Sequence, residues 1–386
     1  MSACSLHALA NVGARTARRF SAILPGMLKD AIDLSGVRRV LVIKLRHHGD
    51  VLLTSPVFTT LKTNAPHAQI DALVYTDTRE MLTHHPAIAT LHLIDRGWKT
   101  QPFLSRVAAE WRLYCALRKQ AYDLIVHLSE HPRGALLARL HGARYAVAPD
   151  YSGRSNWWKN SFTHRFAMAK NPRRHMVEWN LDALRRVGIQ PGADDKGLSL
   201  VPGAQAEAEV EAVLARHGLS EHGFIHLHPA SRWQFKCWPA ERTAQLIDLL
   251  QQAGERVVLT AAPTAEERAL VDAILSKTKT PLLNLAGALS LKSLAALTRR
   301  ARLFIGVDSA PMHIAAAMGT PVVALFGPSG ELEWGPWGVP HRVVSSQLHP
   351  CRPCGNDGCG GSKVSDCLNT LPVEAVLNAV RELLAH

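Results

Sequence analysis

A chain of 386 residues with 47% hydrophobic side chains is long enough for two buried cores and too apolar to be read as disordered. No apolar run reaches the roughly 20 residues of a membrane-spanning helix, which argues against a helical membrane span. Lys and Arg outnumber Asp and Glu by 44 to 32, a formal +12. That excess points to an anionic partner: nucleic acid, a phosphorylated substrate or an acidic membrane face.

Residues 1–36, opening MSACSLHALANVGARTARRF, are basic and lack the long apolar centre and small-residue cleavage site of a secretory signal. A flexible basic segment of a cytoplasmic protein is expected there. A buried strand follows over Val40–Leu45, and a His-His-Gly-Asp turn then places Asp50 just before the apolar run at Val51. Further strands are expected at Ile70–Val74, Leu91–Ile94 and Leu124–Leu128, with helices between them at Pro56–Thr63 and Pro102–Lys119. Such alternation indicates parallel βαβ units.

The Gly- and Pro-rich stretch Arg185–Gly203 separates a second round of the same pattern. Its strands are expected at Phe224–His228, Arg256–Leu259, Leu282–Asn284, Leu303–Gly306 and Val322–Phe326. Its helices are expected at Ala240–Ala253, Ala265–Ser276, Leu291–Arg299 and Ala310–Met318. The fold class is therefore α/β, with two doubly wound Rossmann-like domains, residues 37–192 and 193–386, facing across a cleft. Ligands of such sheets bind beyond the carboxyl ends of the strands, where Asp50 lies. By residue type alone Asp50 is either an N-cap or a chemical group, the glycine before it allowing a tight turn.

In the second half, LFIGVDSAPMHIAAAMGTPVVALFGPSG ends a strand at Val307 and opens a helix at Asp308–Ser309, with Pro311 in its first turn. Free amides at Ser309 and Ala310 and the helix dipole favour a phosphate there, and His313 could add a donor. The competing reading is an Asp cap on a core helix. A second stretch, HLHPASRWQFKCWPAERTAQL, places Ser231, Arg232 and Lys236 in a cationic loop on a neighbouring strand end. Loop and helix start together make a diphosphate clamp.

Late in the first half lies Tyr151–Trp179, with six Lys/Arg and one acid among Tyr151, Trp157, Trp158, Phe162 and Phe166. As a basic aromatic surface it suits sugar stacking, acidic groups and membrane headgroups; otherwise it is a solvated face over core aromatics. Arg173 and Arg174 within it, and Arg133 at an earlier strand end, are candidate contacts for an anionic ligand. Near the C-terminus Cys351-x2-Cys354-x4-Cys359-x7-Cys367 could hold a structural zinc or iron–sulfur cluster, although the spacing matches no standard finger; reduced thiols are the alternative.

The strand–HHGD–helix opening, the HPASRWQFKCWP loop and the GVDSAPMHIAAAMGTPVVALFGP block resemble the lipopolysaccharide heptosyltransferase family over residues 38–385, most nearly its heptosyltransferase III-like members. The resemblance implies a GT-B glycosyltransferase that takes ADP-L-glycero-β-D-manno-heptose as donor. The acceptor would be the lipopolysaccharide inner core (lipid A–Kdo–heptose), with inversion at the transferred carbon and no catalytic metal or cofactor. It also implies a peripheral place on the cytoplasmic face of the inner membrane, an anionic surface, and no nucleic acid.

By the same resemblance Asp50 is the catalytic base and Lys236 neutralises the leaving diphosphate, with Ser231 and Arg232 just upstream. Asp308 holds donor hydroxyls, Ser309 and Ala310 face the phosphates, and His313 is the helix histidine. Glu266 stands nearest to the carboxylate used for the adenosine ribose, and Arg133, Arg173 and Arg174 are the acceptor-binding candidates. A heptosyltransferase II-like or other ADP-heptose transferase is the near alternative. A nucleic-acid-binding protein with a cysteine zinc knuckle is the alternative from another class.

Overall fold

The computed structural model describes residues 30–167 and 174–385. Most of the basic N-terminal segment, and Arg173, lie outside the described residues.

The first domain runs β1 (Arg39–Ile43), α1 (His48–Leu52), α2 (Ser55–Asn64), β2 (Gln69–Tyr75), β3 (Thr90–Ile94), α3 (Phe103–Arg118), β4 (Leu124–His127), α4 (Pro132–His141), β5 (Tyr145–Asp150), α5 (Asn156–Lys159), β6 (His164–Ala167) and α6 (Met176–Arg186). The second runs α7 (Ala204–His217), β7 (Ile225–His228), α8 (Ala240–Gln252), β8 (Val257–Leu259), α9 (Ala265–Leu275), β9 (Leu283–Asn284), α10 (Leu291–Arg299), β10 (Leu303–Val307), α11 (Ala310–Ala317), β11 (Val322–Phe326), α12 (Glu331–Trp334), β12 (His341–Ser345), α13 (Asp366–Asn369) and α14 (Val373–Leu384).

The sheets are ordered β3-β2-β1-β4-β5-β6 and β12-β11-β10-β7-β8-β9, and every neighbouring pair is parallel. These are two copies of one doubly wound topology. Helices cover both faces, so central strands are buried on both sides and read as unbroken apolar runs; Val40 to Ile43 and Leu303 to Val307 are all buried. The strand order reverses between β1 and β4 and again between β7 and β10. Crevices open at those two points, beyond the strand ends.

Three strands escaped the sequence reading. β5 carries Pro149, and β6 is His-Arg-Phe-Ala with an exposed alanine at its end. β12 opens on exposed His341 and Arg342. None shows the apolar run of a central strand.

The chain also stays with the first domain beyond residue 192. Thr63 Oγ1 of α2 donates to Asp195 Oδ1 at 2.8 Å, and Leu200 is buried in the first core. Conversely, Leu294 and Ala295 of α10 and Ile314 of α11 are buried in that same core. Polar ties run along this seam. Trp337 Nε1 donates to the Lys196 carbonyl at 2.7 Å, His175 Nε2 to the Gly335 carbonyl at 2.9 Å, and Lys292 Nζ to the Thr83 carbonyl at 2.9 Å.

Candidate active site

Asp50 lies in the first turn of α1, not at its cap. The N-cap is His47, which makes no side-chain cap bond. The N-cap reading therefore falls, and the carboxylate is left to face the crevice. Its side chain is 14% exposed and stands 3.6 Å from Arg46 Nε. Arg46 also reaches Glu130 at 3.5 Å, and Arg154 reaches Glu130 at 3.3 Å.

Gly49 is needed for a different reason from the tight turn expected. It sits within the α1 helix and is not among the residues of positive φ. A Cβ placed on it would lie 2.8 Å from His313 Cδ2 of the other domain. The missing side chain lets α1 and α11 close on each other across the cleft.

Beside Asp50 opens a cavity of about 220 Å³, lined among others by Lys44, Arg46, Tyr151, Trp179, Asn180 and Glu333. Lys44 follows β1 directly, is only 5% exposed, and donates to Asn180 Oδ1 at 3.2 Å. Asn180 in turn donates to the Leu53 carbonyl at 2.9 Å. Burial pushes the lysine down from 10.5 to about 8, against the pull of the Asp50 charge. Burial also raises Glu333, which enters the cavity from the second domain. Lys44, Arg46, Glu130, Asn180 and Glu333 were not among the residues expected at the site. The available signal was a lysine ending an otherwise apolar buried strand.

On the facing wall, a short 3₁₀ turn over Gln234–Lys236 presents Lys236 between buried Phe235 and buried Trp238. Its Nζ donates to Asp308 Oδ2 at 2.6 Å. Asp308 is not the cap of α11 either. Ser309 holds that position in extended backbone, and its hydroxyl turns back to the Val307 carbonyl at 3.3 Å. The Ser309 and Ala310 amides have no acceptor among the described residues. His313 is buried, with Nδ1 lacking a partner among the described residues. Burial lowers it to about 4, so the ring is neutral at pH 7.

Ser231 is buried and its hydroxyl accepts from the Trp233 amide at 3.2 Å. Arg232 is exposed, with its guanidinium 5.4 Å from the Trp233 ring centroid. Glu266 is exposed on the first turn of α9. The next residue, Glu267, is buried, accepts from the Ala262 amide at 2.7 Å and stands 3.9 Å from His228.

The acceptor candidates sit differently from expectation. Arg133 is bound to Glu110 of α3, and Arg174 is held by Asp182 at 2.8 Å and Glu178 at 3.6 Å. The Tyr151–Trp179 stretch is not an aromatic surface. Trp158, Phe162, Phe166 and Trp179 are buried, and only Trp157 of its large aromatics is well exposed.

Nothing in the structure supports the metal expected at the cysteine cluster. Among the described residues no three His, Cys, Asp or Glu side chains are placed to hold an ion. Cys351, Cys354 and Cys359 are exposed while Cys367 is buried, and Cys359 Sγ accepts from the Asp366 amide at 3.5 Å. Arg352 anchors the loop instead, reaching the Gly327 carbonyl at 2.6 Å and Glu331 at 3.1 Å.

Two facing doubly wound domains, with a carboxylate at one crevice and a cation–carboxylate pair at the other, agree with the sequence relationships of the chain. Residues 110–364 match the profile of glycosyltransferase family 9 (heptosyltransferase). The chain belongs to this family. Among curated family 9 relatives, lipopolysaccharide heptosyltransferase 3 of Escherichia coli strain K12 is 40% identical over 298 residues, covering 76% of this chain and 83% of the relative. Lipopolysaccharide heptosyltransferase 1 of Pseudomonas aeruginosa is 26% identical over 336 residues, covering 83% and 87%.

The solved family 9 glycosyltransferase of Veillonella parvula superimposes with a TM-score of 0.78 at 22% identity, over 92% of this chain and 99% of that one. The ADP-heptose heptosyltransferase II of E. coli gives 0.70 at 22% identity, over 90% and 98%. These likenesses establish the two-domain fold.

Proposed function

We propose that this family 9 enzyme transfers a heptose from ADP-L-glycero-β-D-manno-heptose to a heptose of the lipopolysaccharide inner core, inverting the transferred carbon. The observation that carries the reading is the placement of Asp50 and the Lys236–Asp308 pair on opposite walls of one cleft, closed by Gly49 against His313. The 40% identity to a curated heptosyltransferase 3 supports the choice of sugar and acceptor. A solved relative, a heptosyltransferase of E. coli, holds ADP.

In the proposed reaction an acceptor hydroxyl attacks the anomeric carbon of the donor heptose as the bond from that carbon to the diphosphate oxygen breaks. The hydroxyl proton passes to Asp50, and ADP leaves with the electron pair. Lys236, Arg232 and the amides at Ser309 and Ala310 oppose the negative charge that grows on the diphosphate. Asp308 accepts from donor hydroxyls once the diphosphate draws Lys236 away. His313, neutral and buried, donates or accepts beside them. General-base help of this kind contributes about 10²–10⁴-fold.

Lys44 and Arg46 are the cations placed to meet the anionic acceptor, because both line the cavity beside Asp50. Arg133 and Arg174, each held by carboxylates, serve the outer rim. Glu266, exposed at the mouth of α9, is the carboxylate offered to the adenosine ribose. No helix among the described residues is long and apolar enough to cross a membrane. With its basic excess and a lipid-anchored acceptor, the enzyme is proposed to work peripherally on the cytoplasmic face of the inner membrane.

The test is incubation with ADP-heptose and defined truncated core acceptors. Mass analysis should show an acceptor heavier by one heptosyl group, with ADP released in equal amount. Hydrolysis of the donor with no gain in acceptor mass would overturn the reading.

A further inference from the structure

Among the described residues, seven of the eleven exposed large hydrophobic side chains lie on α3, α4 and α5. The helix α3 buries Ala109, Leu113 and Leu117 against the sheet, a spacing of four that is one complete apolar face. It then carries a second apolar stripe on the far side. Phe103 is 71% exposed, Leu104 79%, Val107 47% and Trp111 63%. Packing among the described residues accounts for the first face and leaves the second without a partner among them. Contiguous apolar exposure of this kind marks a docking surface.

The stripe continues across the layer. Arg118 of α3 donates to the carbonyls of Leu140 and His141 at the end of α4, so the two helices sit side by side. Leu136 and Leu140 of α4 are exposed. Arg139 places its guanidinium 5.6 Å from the ring centroid of exposed Trp157 on α5. The three helices together contain six Lys or Arg and one acid, Glu110, and Glu110 is occupied by Arg133. Arg106, Arg112 and Arg139 are exposed beside the apolar side chains.

We propose that this α3–α4–α5 face docks the enzyme on an anionic lipid bilayer. Lys159 is paired with Asp150, but apolar side chains interleaved with Arg106, Arg112 and Arg139, which form no ion pair among the described residues, suit the boundary between headgroups and acyl chains, where each kind meets its own environment. Pairing with a second copy of the same face would bring two cationic surfaces together, which charge repulsion disfavours. The placement also fits the proposed reaction, on which this inference rests. In a parallel sheet the helices after β1, β3 and β4 all start at the carboxyl edge. Phe103 and Leu104 therefore stand on the same rim as Asp50, and docking holds the cleft mouth against the surface that bears the acceptor's lipid.

Co-sedimentation of the full chain with vesicles tests the proposal. Wild type is expected to bind phosphatidylethanolamine–phosphatidylglycerol vesicles, to release with salt, and to bind phosphatidylcholine vesicles weakly. The Leu104→Glu/Trp111→Glu variant is expected to lose binding roughly tenfold or more, while its turnover on a soluble, lipid-free acceptor stays at the wild-type level. The proposal is overturned if wild type does not bind anionic vesicles, or if the variant binds as wild type does. It is equally overturned if wild type is a dimer that the variant dissociates, because the face is then a chain–chain interface. Vesicle binding as expected without transfer to any core acceptor would remove the proposed reaction and leave the docking face standing.

Discussion

Lys236 Nζ donates to Asp308 Oδ2 at 2.6 Å, so the protein holds the cation proposed for the diphosphate and the carboxylate proposed for the sugar against each other. On that proposal, donor binding parts them. Replacing Lys236 by Ala should weaken ADP about tenfold or more, the scale of a lost charge-assisted hydrogen bond, and lower turnover as well. Asp308→Asn should act differently: ADP binds as well or better because the lysine is released, while the KM for ADP-heptose rises. Isothermal titration with ADP, beside steady-state kinetics, separates the two. If Asp308→Asn loosened ADP as much as Lys236→Ala, the carboxylate would be positioning the lysine and not competing for it.

Asp50→Asn removes the proposed proton acceptor while keeping the shape of the side chain. Turnover should fall by about 10²-fold or more, with ADP affinity near wild type. Near-native turnover would take Asp50 out of the chemistry.

The contact between Gly49 and His313 offers a test of cleft closure. A methyl group at Gly49 would stand 2.8 Å from His313 Cδ2, so Gly49→Ala should push α1 off α11 and cost about tenfold in kcat through misplacement of Asp50. Truncating the opposing ring in Gly49→Ala/His313→Ala should recover part of that loss relative to His313→Ala alone. Strict additivity of the two changes would show that they do not act through this contact.

Much of this arrangement is legible in the sequence alone. The buried parallel strands announce themselves as apolar runs, and Asp50, Lys236 and Asp308 each fall where such a run stops. What could not be read was orientation. Nothing in Trp158 or Phe162 says that they face the core while Phe103 and Trp111 face out, because an aromatic residue serves either place equally well. Gly49 invites a turn explanation, since close approach by a residue some 260 positions later leaves no local mark. Lys44 looks like a surface residue until Asn180 appears beside it.

The buried lysine gives a pH prediction. Its folded value of about 8 lies below the ordinary 10.5, so between those values the unfolded chain binds more protons than the folded one. Stability from this group therefore rises with pH across that window, and below about pH 8 the full burial cost is present. Lys44→Met should stabilise the protein at pH 7 by up to about 3 kcal/mol, with the margin shrinking as pH climbs above 8. The same change should raise the acceptor KM at pH 7 and leave ADP affinity alone. Thermal unfolding at several pH values, with acceptor kinetics, checks both halves. A margin independent of pH would mean that the lysine does not lose its proton in the folded state.

The seam where Leu294, Ala295 and Ile314 enter the first core bears on how the protein melts and how it can be recombined. Neither half keeps a whole interior if the other unfolds, so calorimetry should record one endotherm and not two. For the same reason, exchanging whole halves between relatives is a poor way to trade donor and acceptor preferences. A productive hybrid must carry α10, α11 and the segment around Thr63 and Asp195 as a single graft, because the boundary that matters is drawn by packing and not by the order of the chain.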